Sequence, residues 1–447
     1  MTALPLLQAA ALVLAYLALC WRCLGRRGAA SEGASGATLL VAYASQGGEA
    51  EAIARRHGEM LGRTRPVRVL PLNQVDAALL RQVHTGLFVA STYGEGESPD
   101  NALRFARQWL RARPAADLSH LHYAVLALGD SAYRQFCAFG DHLDRGLSAH
   151  GGRQLFPAIK VDRMDAAALQ QWRRELQACG LLEATGDPIS ATGRELPRLP
   201  CRLLQRRQLN PGSAGGPVFH LRFEARAGNP WQAGDIAVFD VPGPAGSSEK
   251  REYSIASIAE HGSLDLLVRQ VRKDDGSLGL GSGWLGATLP LGGEVLIGLR
   301  DNPAFQPPPD AAPLILVGNG TGIAGLRAHL QARELAGQPR NWLVFGERAR
   351  AHDSFFDDEL RAWVSGGHLQ RLDRVFSREG EPLRYVQDLL VRQSALLADW
   401  LAQGACIYVC GSARGMAPAV HRVLLDVLGE AALEGLLLAG RYRRDVY

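Results

Sequence analysis

The sequence predicts a multidomain protein: a doubly wound α/β unit, a small antiparallel β-barrel and a second α/β unit, preceded by an apolar helix. Three observations carry this. Apolar runs of strand length alternate with helical periodicity in the first and last thirds of the chain, which implies parallel sheets. Between them, strands follow one another closely with few helices, which implies antiparallel closure. The chain opens on a long uncharged run. At 447 residues it is too long for one ordinary domain. A composition of 47% hydrophobic and 21% charged residues is that of a chain with real cores, not of a disordered one. A net charge of +4 without a concentrated basic stripe argues against nucleic acid as a partner. The seven cysteines are odd in number and scattered, so no disulfide framework is expected, and no metal site either.

Residues 4–21 (LPLLQAAALVLAYLALCW) carry no charge, and the run is roughly long enough to cross a hydrocarbon core as a helix. Arg22, Arg26 and Arg27 follow at once, so the expectation is a single-pass membrane protein, bacterial inner membrane in type, with its bulk on the cytoplasmic side. A cleaved signal peptide is the rival reading, but that needs charge before the apolar core rather than after it. Cys20 and Cys23 have the spacing of a redox pair, yet they end the apolar run and are read as incidental. The expected organisation is an anchor over 1–24, a tether over 25–37, a first α/β unit over 38–182 and a linker over 183–199. A barrel over 200–308 and a second α/β unit over 309–447 complete it.

In the first α/β unit, apolar runs at 38–44, 86–90 and 123–128 each end in an unusual loop. The first is Ser45-Gln46-Gly47-Gly48-Glu49-Ala50, leading straight into a helical stretch. Backbone N–H groups of such a turn, with the helix N-terminus, make an anion site. The second is Ser91-Thr92-Tyr93-Gly94-Glu95-Gly96. The third is Leu128-Gly129-Asp130-Ser131-Ala132-Tyr133, followed by Phe136 and Cys137. Singly, each is weak evidence, because a glycine turn after a strand is often only a tight turn. In the middle region, strands are expected over 218–225, 235–241 and 264–272, with Arg251-Glu252-Tyr253-Ser254 among them. Gly279-Leu280-Gly281-Ser282-Gly283 opens a short helix. In the last region a run at 313–318 ends in Gly318-Asn319-Gly320-Thr321-Gly322, a turn that is weak evidence alone. Strands are also expected over 341–346 and 407–411, the latter ending near Cys410, for which a buried structural thiol is the plain alternative.

Taken together, these loops resemble the diflavin NADPH reductases. Residues 38–180 are similar to their flavodoxin-like FMN domain, and the remainder to the ferredoxin–NADP reductase superfamily. The resemblance implies that Ser45 to Ala50 hold the FMN phosphate and that Tyr93 and Tyr133 flank the flavin, as flat aromatic faces suit. It implies that Arg251 pairs with the FAD pyrophosphate, Tyr253 stacks on that flavin, and Ser254 reaches its edge, with Gly279, Gly281 and Ser282 beside them. Gly320 and Thr321 belong to the NADP loop, where Gly325 replaces the usual proline. Ser377, Arg378, Arg384, Tyr385 and Gln387 resemble a cluster for the 2′-phosphate of NADPH, with Leu383 where a lysine is usual. Ser254, Cys410 and Asp445 match the residues around the site of hydride transfer, and Tyr447 the aromatic that covers the flavin. Two departures stand out. Gly47 and Glu49 replace hydroxyl-bearing residues of the phosphate loop, and a carboxylate there opposes a dianion. The usual helical connecting domain, about a hundred residues long, is missing, because only residues 242–250 precede the Arg251 motif. The expected activity is therefore NADPH-dependent electron transfer through FAD, then FMN, to a separate acceptor protein; the resemblance suggests a sulfite reductase haemoprotein, and the anchor fits a membrane haem protein or an iron-reducing system at least as well. The other class is a flavin-binding sensor or docking module without turnover.

Overall fold

The computed structural model of the chain describes residues 39–93, 96–110, 117–131, 135–183, 196–225, 231–243 and 246–447. Three sheets organise them. The first is parallel, in the order β2 (Val67–Pro71), β1 (Leu39–Ala44), β3 (Thr85–Ser91), β4 (His122–Gly129), β5 (Arg153–Gln154), with β6 (Ile159–Asp162) also on β4. Strands β1, β3 and β4 are buried through their middles on both faces, because helices cover both sides. Helix α1 (Glu49–Leu61) starts at Gly48, whose φ of 88° is open to glycine at little cost. Helices α2 (Ala77–Gln82), α3 (Leu103–Leu110), α4 (Ala138–Ala149) and α5 (Ala166–Ala178) complete the layers.

The second sheet is antiparallel, in the order β10 (Ser248–Ser254), β9 (Ile236–Pro242), β12 (Glu294–Arg300), β7 (Arg198–Gln208), β8 (Val218–Glu224), β11 (Ser263–Arg269). An Ile255–Leu266 bridge brings its two ends together into a barrel. In β7 the residues Leu199, Cys201 and Leu203 alternate inward with exposed neighbours, which is the period of a half-buried strand. The third sheet is parallel, in the order β15 (Arg371–Phe376), β14 (Asn341–Glu347), β13 (Leu314–Asn319), β16 (Cys406–Gly411), β17 (Tyr442–Val446). Its order reverses between β13 and β16, where open α/β sheets bind ligands.

The barrel and the third sheet share one core. Val218, Ala256 and Leu267 of the barrel side pack with Leu314, Leu316, Phe345 and Tyr408. Buried Asp265 adds a polar stitch. Burial pushes its carboxyl up, but His220, Arg222 and Arg327 outweigh that and hold it at about 2. Arg327 stands on α6 (Ile323–Leu335) and also donates to the Ala256 carbonyl at 2.7 Å. The flavodoxin-like sheet keeps its own two cores and meets the rest through charged contacts. Arg444 of β17 pairs with Asp100, and Arg107 of α3 pairs with Glu434 at 2.9 Å and Glu430 at 3.0 Å on α8 (Glu430–Leu438), which follows α7 (Met416–Leu428). A cleft of about 220 Å³ remains between these helices.

The expectation of a single-pass membrane protein with a transmembrane helix and a membrane partner is corrected. Among the described residues no helix is long and apolar enough to cross a membrane, and the run at 4–21 on which that expectation rested lies outside them, as does the tether at 28–37.

Removing one partner of a largely buried ion pair strands the other. Arg444→Met is expected to weaken docking of the flavodoxin-like sheet by about 2–3 kcal/mol, since Asp100 keeps some solvent contact. Calorimetry should then resolve two unfolding transitions, with barrel and third sheet melting together in one. A single transition with an unchanged Tm would refute this.

Candidate functional site

The carboxyl ends of β1, β3 and β4 bring the three loops of the first unit to one edge. Ser45 N–H donates to Asn101 Oδ1 at 2.9 Å, and Gln46 exchanges two 3.0 Å bonds with Asp100. Gly47 and Gly48 carry the turn, Glu49 is exposed, and Ala50 is buried in the first turn of α1. Ser91 Oγ donates to the Ala44 carbonyl at 3.0 Å, and Thr92 Oγ1 accepts from Phe139 N–H at 3.2 Å. Thr92 N–H in turn reaches the Leu128 carbonyl at 3.0 Å, tying the second loop to the third. A Cβ on Gly129 would lie 2.9 Å from the Cys137 nitrogen, so only glycine lets the chain pass there. Asp130 and Phe136 are partly exposed, and Cys137 is buried at a φ of 56°. Gly94 and Tyr133 lie outside the described residues. Ser45 Oγ and Tyr93 Oη are buried without a hydrogen-bond partner among the described residues. Two orphaned polar groups on this edge fit a phosphate- and ring-bearing ligand such as FMN.

Three side chains from separate parts of the fold converge on Asp445. Ser254, at the end of β10, donates from Oγ to Asp445 Oδ2 at 2.7 Å. Cys410, at the end of β16, approaches the same oxygen at 3.7 Å. Asn302 Nδ2 lies 3.5 Å from Oδ1. Asn302 is a member of this cluster that sequence reasoning missed, because nothing local in the chain marks a loop asparagine as facing a residue 143 positions away. Burial pushes the Cys410 thiol well above its ordinary range, and Asp445 adds to the rise. Burial raises the Asp445 carboxyl too, with the Ser254 hydroxyl opposing. A Cβ on Gly325 would lie 3.4 Å from Cys410 Sγ and 3.3 Å from the Phe305 ring, so glycine lets the thiol and that ring pack closely against the chain there. Tyr447 is 53% exposed, with Thr321, Ser254, Cys410 and Asp445 among its neighbours.

Beside this cluster the two barrel motifs are in contact. A Cβ on Gly281 would fall 2.6 Å from Tyr253 Oη and 2.7 Å from the Arg251 side chain, so the turn of Gly279 to Ser282 lies against that motif. Ser282 Oγ accepts from Val271 N–H at 3.0 Å. Arg251 pairs with Glu249, and exposed Glu252 accepts two bonds from Arg300. In the third sheet Gly320 and Thr321 end β13, while Ser377 and Arg378 follow β15. Arg378, Arg384 and Tyr385 are exposed, and Gln387 is half-buried at the start of the helix Val386–Arg392. Exposed guanidinium groups at Arg378 and Arg384 suit a phosphate monoester.

Residues 41–175 match the flavodoxin family and residues 316–422 the oxidoreductase NAD-binding domain family. The chain is similar to the sulfite reductase (NADPH) flavoprotein alpha-component of Vibrio cholerae, 29% identical over 94% of this chain and 89% of that protein. The same component of Bacillus subtilis is 27% identical over 92% and 89%, and that of a Shewanella species 27% over 93% and 91%. A flavodoxin-like sheet, an antiparallel barrel and a dinucleotide-binding sheet in one chain define an NADPH-dependent flavoprotein oxidoreductase that transfers electrons. Together these similarities support a diflavin NADPH reductase, with FMN, FAD and NADPH as its cofactors.

Cys410 should remain a neutral, closed thiol. In the folded protein at neutral pH, iodoacetamide is expected to label exposed Cys179 and to spare Cys410, as read by peptide mass spectrometry. Labelling of Cys410 as fast as Cys179 would overturn the reading of the cluster as closed.

Proposed function

We propose that Ser254, Cys410, Asp445 and Tyr447 form the station where NADPH meets FAD, and that the edge of Ser45 to Ala50, Thr92 and Tyr93 holds FMN and passes electrons to a separate haem- or iron-containing redox protein. The observation that carries this is one of placement. Arg444 lies over the Tyr93 ring at 5.1 Å while its chain neighbour Asp445 binds Ser254, so one short strand touches both stations. When bound, FAD would supply an acceptor for the two electrons of one hydride, and FMN a carrier able to release them singly. The chain's own residues position and exclude. Gly325 lets Cys410 and Phe305 pack close against the first turn of α6. Ser254 and Asn302 fix the Asp445 carboxyl in place beside Cys410. Tyr447 is placed to yield its position when nicotinamide enters. Arg251, the Gly279–Ser282 turn and Tyr253 hold FAD, and Gly320 and Thr321 take the NADP pyrophosphate. The relatives are each one component of sulfite reductase, which supports an acceptor on another chain.

Rapid mixing with NADPH under anaerobic conditions should bleach both flavins, and Tyr93→Ala should slow delivery to a haem acceptor while leaving the first flavin's bleaching intact. One inert flavin would instead favour a sensor. For the nucleotide, Arg378 and Ser377 supply the contacts that NADH cannot use. Arg378→Ala is expected to cost about 1–3 kcal/mol of NADPH binding and to leave NADH almost unaffected. Equal catalytic efficiency with both nucleotides in the unaltered protein would defeat the assignment.

A further inference from the structure

The phosphate loop has a charge problem within its own module. It carries no lysine or arginine from Ser45 to Ala54, and Arg55 is paired with Glu51 at 2.7 Å. The Gln46 amide is engaged with Asp100. Glu49 brings a negative charge next to where a dianion would sit. A cation reaches the loop from the barrel. Arg300, the last residue of β12, donates from Nη1 to the Gly47 carbonyl at 2.7 Å, across 253 positions of sequence. The same side chain, 18% exposed, is fixed by Glu252, which accepts from Nε at 3.1 Å and Nη2 at 2.7 Å. Three of its five N–H donors are thereby used, and two remain. Glu252 also acts on the loop, adding to the rise that burial gives the Glu49 carboxyl, while Arg300 opposes that rise and makes the direct bond to the loop. Lys250 is also among the charged neighbours of Glu49, but it is exposed and makes no comparable bond.

We propose that Arg300 of the barrel supplies the cation of the FMN phosphate site in the flavodoxin-like module, replacing the hydroxyl groups absent at Gly47 and Glu49. This rests on the reading of Ser45 to Ala50 as the phosphate loop. A fixed planar guanidinium suits a phosphate monoester better than a mobile ammonium does. The arrangement has a reciprocal consequence. If docking of the barrel strengthens FMN binding, FMN binding strengthens docking by the same factor. The FMN-loaded module is then the one held against the hydride station.

The test uses the full chain stripped of flavin and titrated by fluorescence quenching with FMN and with riboflavin, which lacks the phosphate. Arg300→Ala should raise the Kd for FMN about tenfold or more while moving that for riboflavin less than about twofold. Arg300→Lys should recover part of the loss. An unchanged Kd for FMN, or an equal loss for both flavins, overturns the proposal; the second result would make Arg300 a structural residue. Ser45→Asp separates the underlying reading. If it weakens FMN but not riboflavin while Arg300→Ala does neither, only the role of Arg300 falls. If Ser45→Asp also leaves FMN binding unchanged, the loop is not the phosphate site and both fall.

Discussion

The arrangement hangs on the register of one edge strand. β17 pairs in parallel with β16 so that Asp445 stands opposite Cys410 and Arg444 opposite Val409. Alternation along a strand then sends successive side chains to opposite faces. Tyr442 and Arg444 are buried on one side, where Tyr442 stacks on His421 and Arg444 meets Asp100 and Tyr93. Arg443 and Asp445 turn to the other side, where they bind the Gln306 carbonyl and Ser254. A slip of one residue would exchange these sets, placing a guanidinium among the hydride-site groups and a carboxylate against Asp100. Neither station would survive that, so five residues near the chain end set the relation between both.

The two interfaces that meet at β17 are of different kinds. Barrel and dinucleotide sheet share a continuous apolar core, stitched by Arg327 and Asp265, and so behave as one body. That suits hydride transfer, which tolerates little error in distance between the reacting rings. The flavodoxin-like sheet closes its own cores and touches that body through ion pairs and a backbone contact. Polar contacts of this sort give orientation with modest net affinity, because desolvation offsets much of their Coulomb attraction. The fold thus fixes the barrel and the third sheet together and holds the flavodoxin-like sheet by contacts that a change in charge can alter.

The architecture was legible in the sequence to the extent that it is local. Buried parallel strands such as β1, β4 and β13 announce themselves as short apolar runs, and the loops that follow them carry glycine and hydroxyl residues. The antiparallel barrel was legible from strand spacing, although β7 begins at Arg198, inside the region read as linker. Pro197 and Pro200 hide the alternation of Leu199, Cys201 and Leu203 there. Ser254, Cys410 and Asp445 could be named because each sits in a recognisable motif, and the structure does bring them together. Arg300, Asn302, Asp100 and Arg444 could not. Their partners lie 253, 143 and 344 positions away, and an arginine facing solvent has the same local sequence as one facing a partner. The apolar run at the start of the chain is a different case: hydropathy describes that segment alone, and the described structure begins only at Leu39.

Compactness explains why these long-range contacts exist at all. The alignment with the Vibrio cholerae relative spans 554 positions, more than this chain's 447 residues, so that protein carries segments missing here. In this chain β9 and β10 are joined directly through residues 243–247, closed by a 2.8 Å bond from Gly243 N–H to the Ser247 carbonyl. Among the described residues, the barrel face formed by β10, β9 and β12 touches the flavodoxin-like sheet directly at the Gly47 loop. Glu252 pairs in register with Val238, which pairs with Gly298, so Glu252 and Arg300 lie on one face across β9. That pair can therefore meet the Gly47 loop directly, and the orientation of the flavodoxin-like sheet on the barrel rests on a few charged side chains.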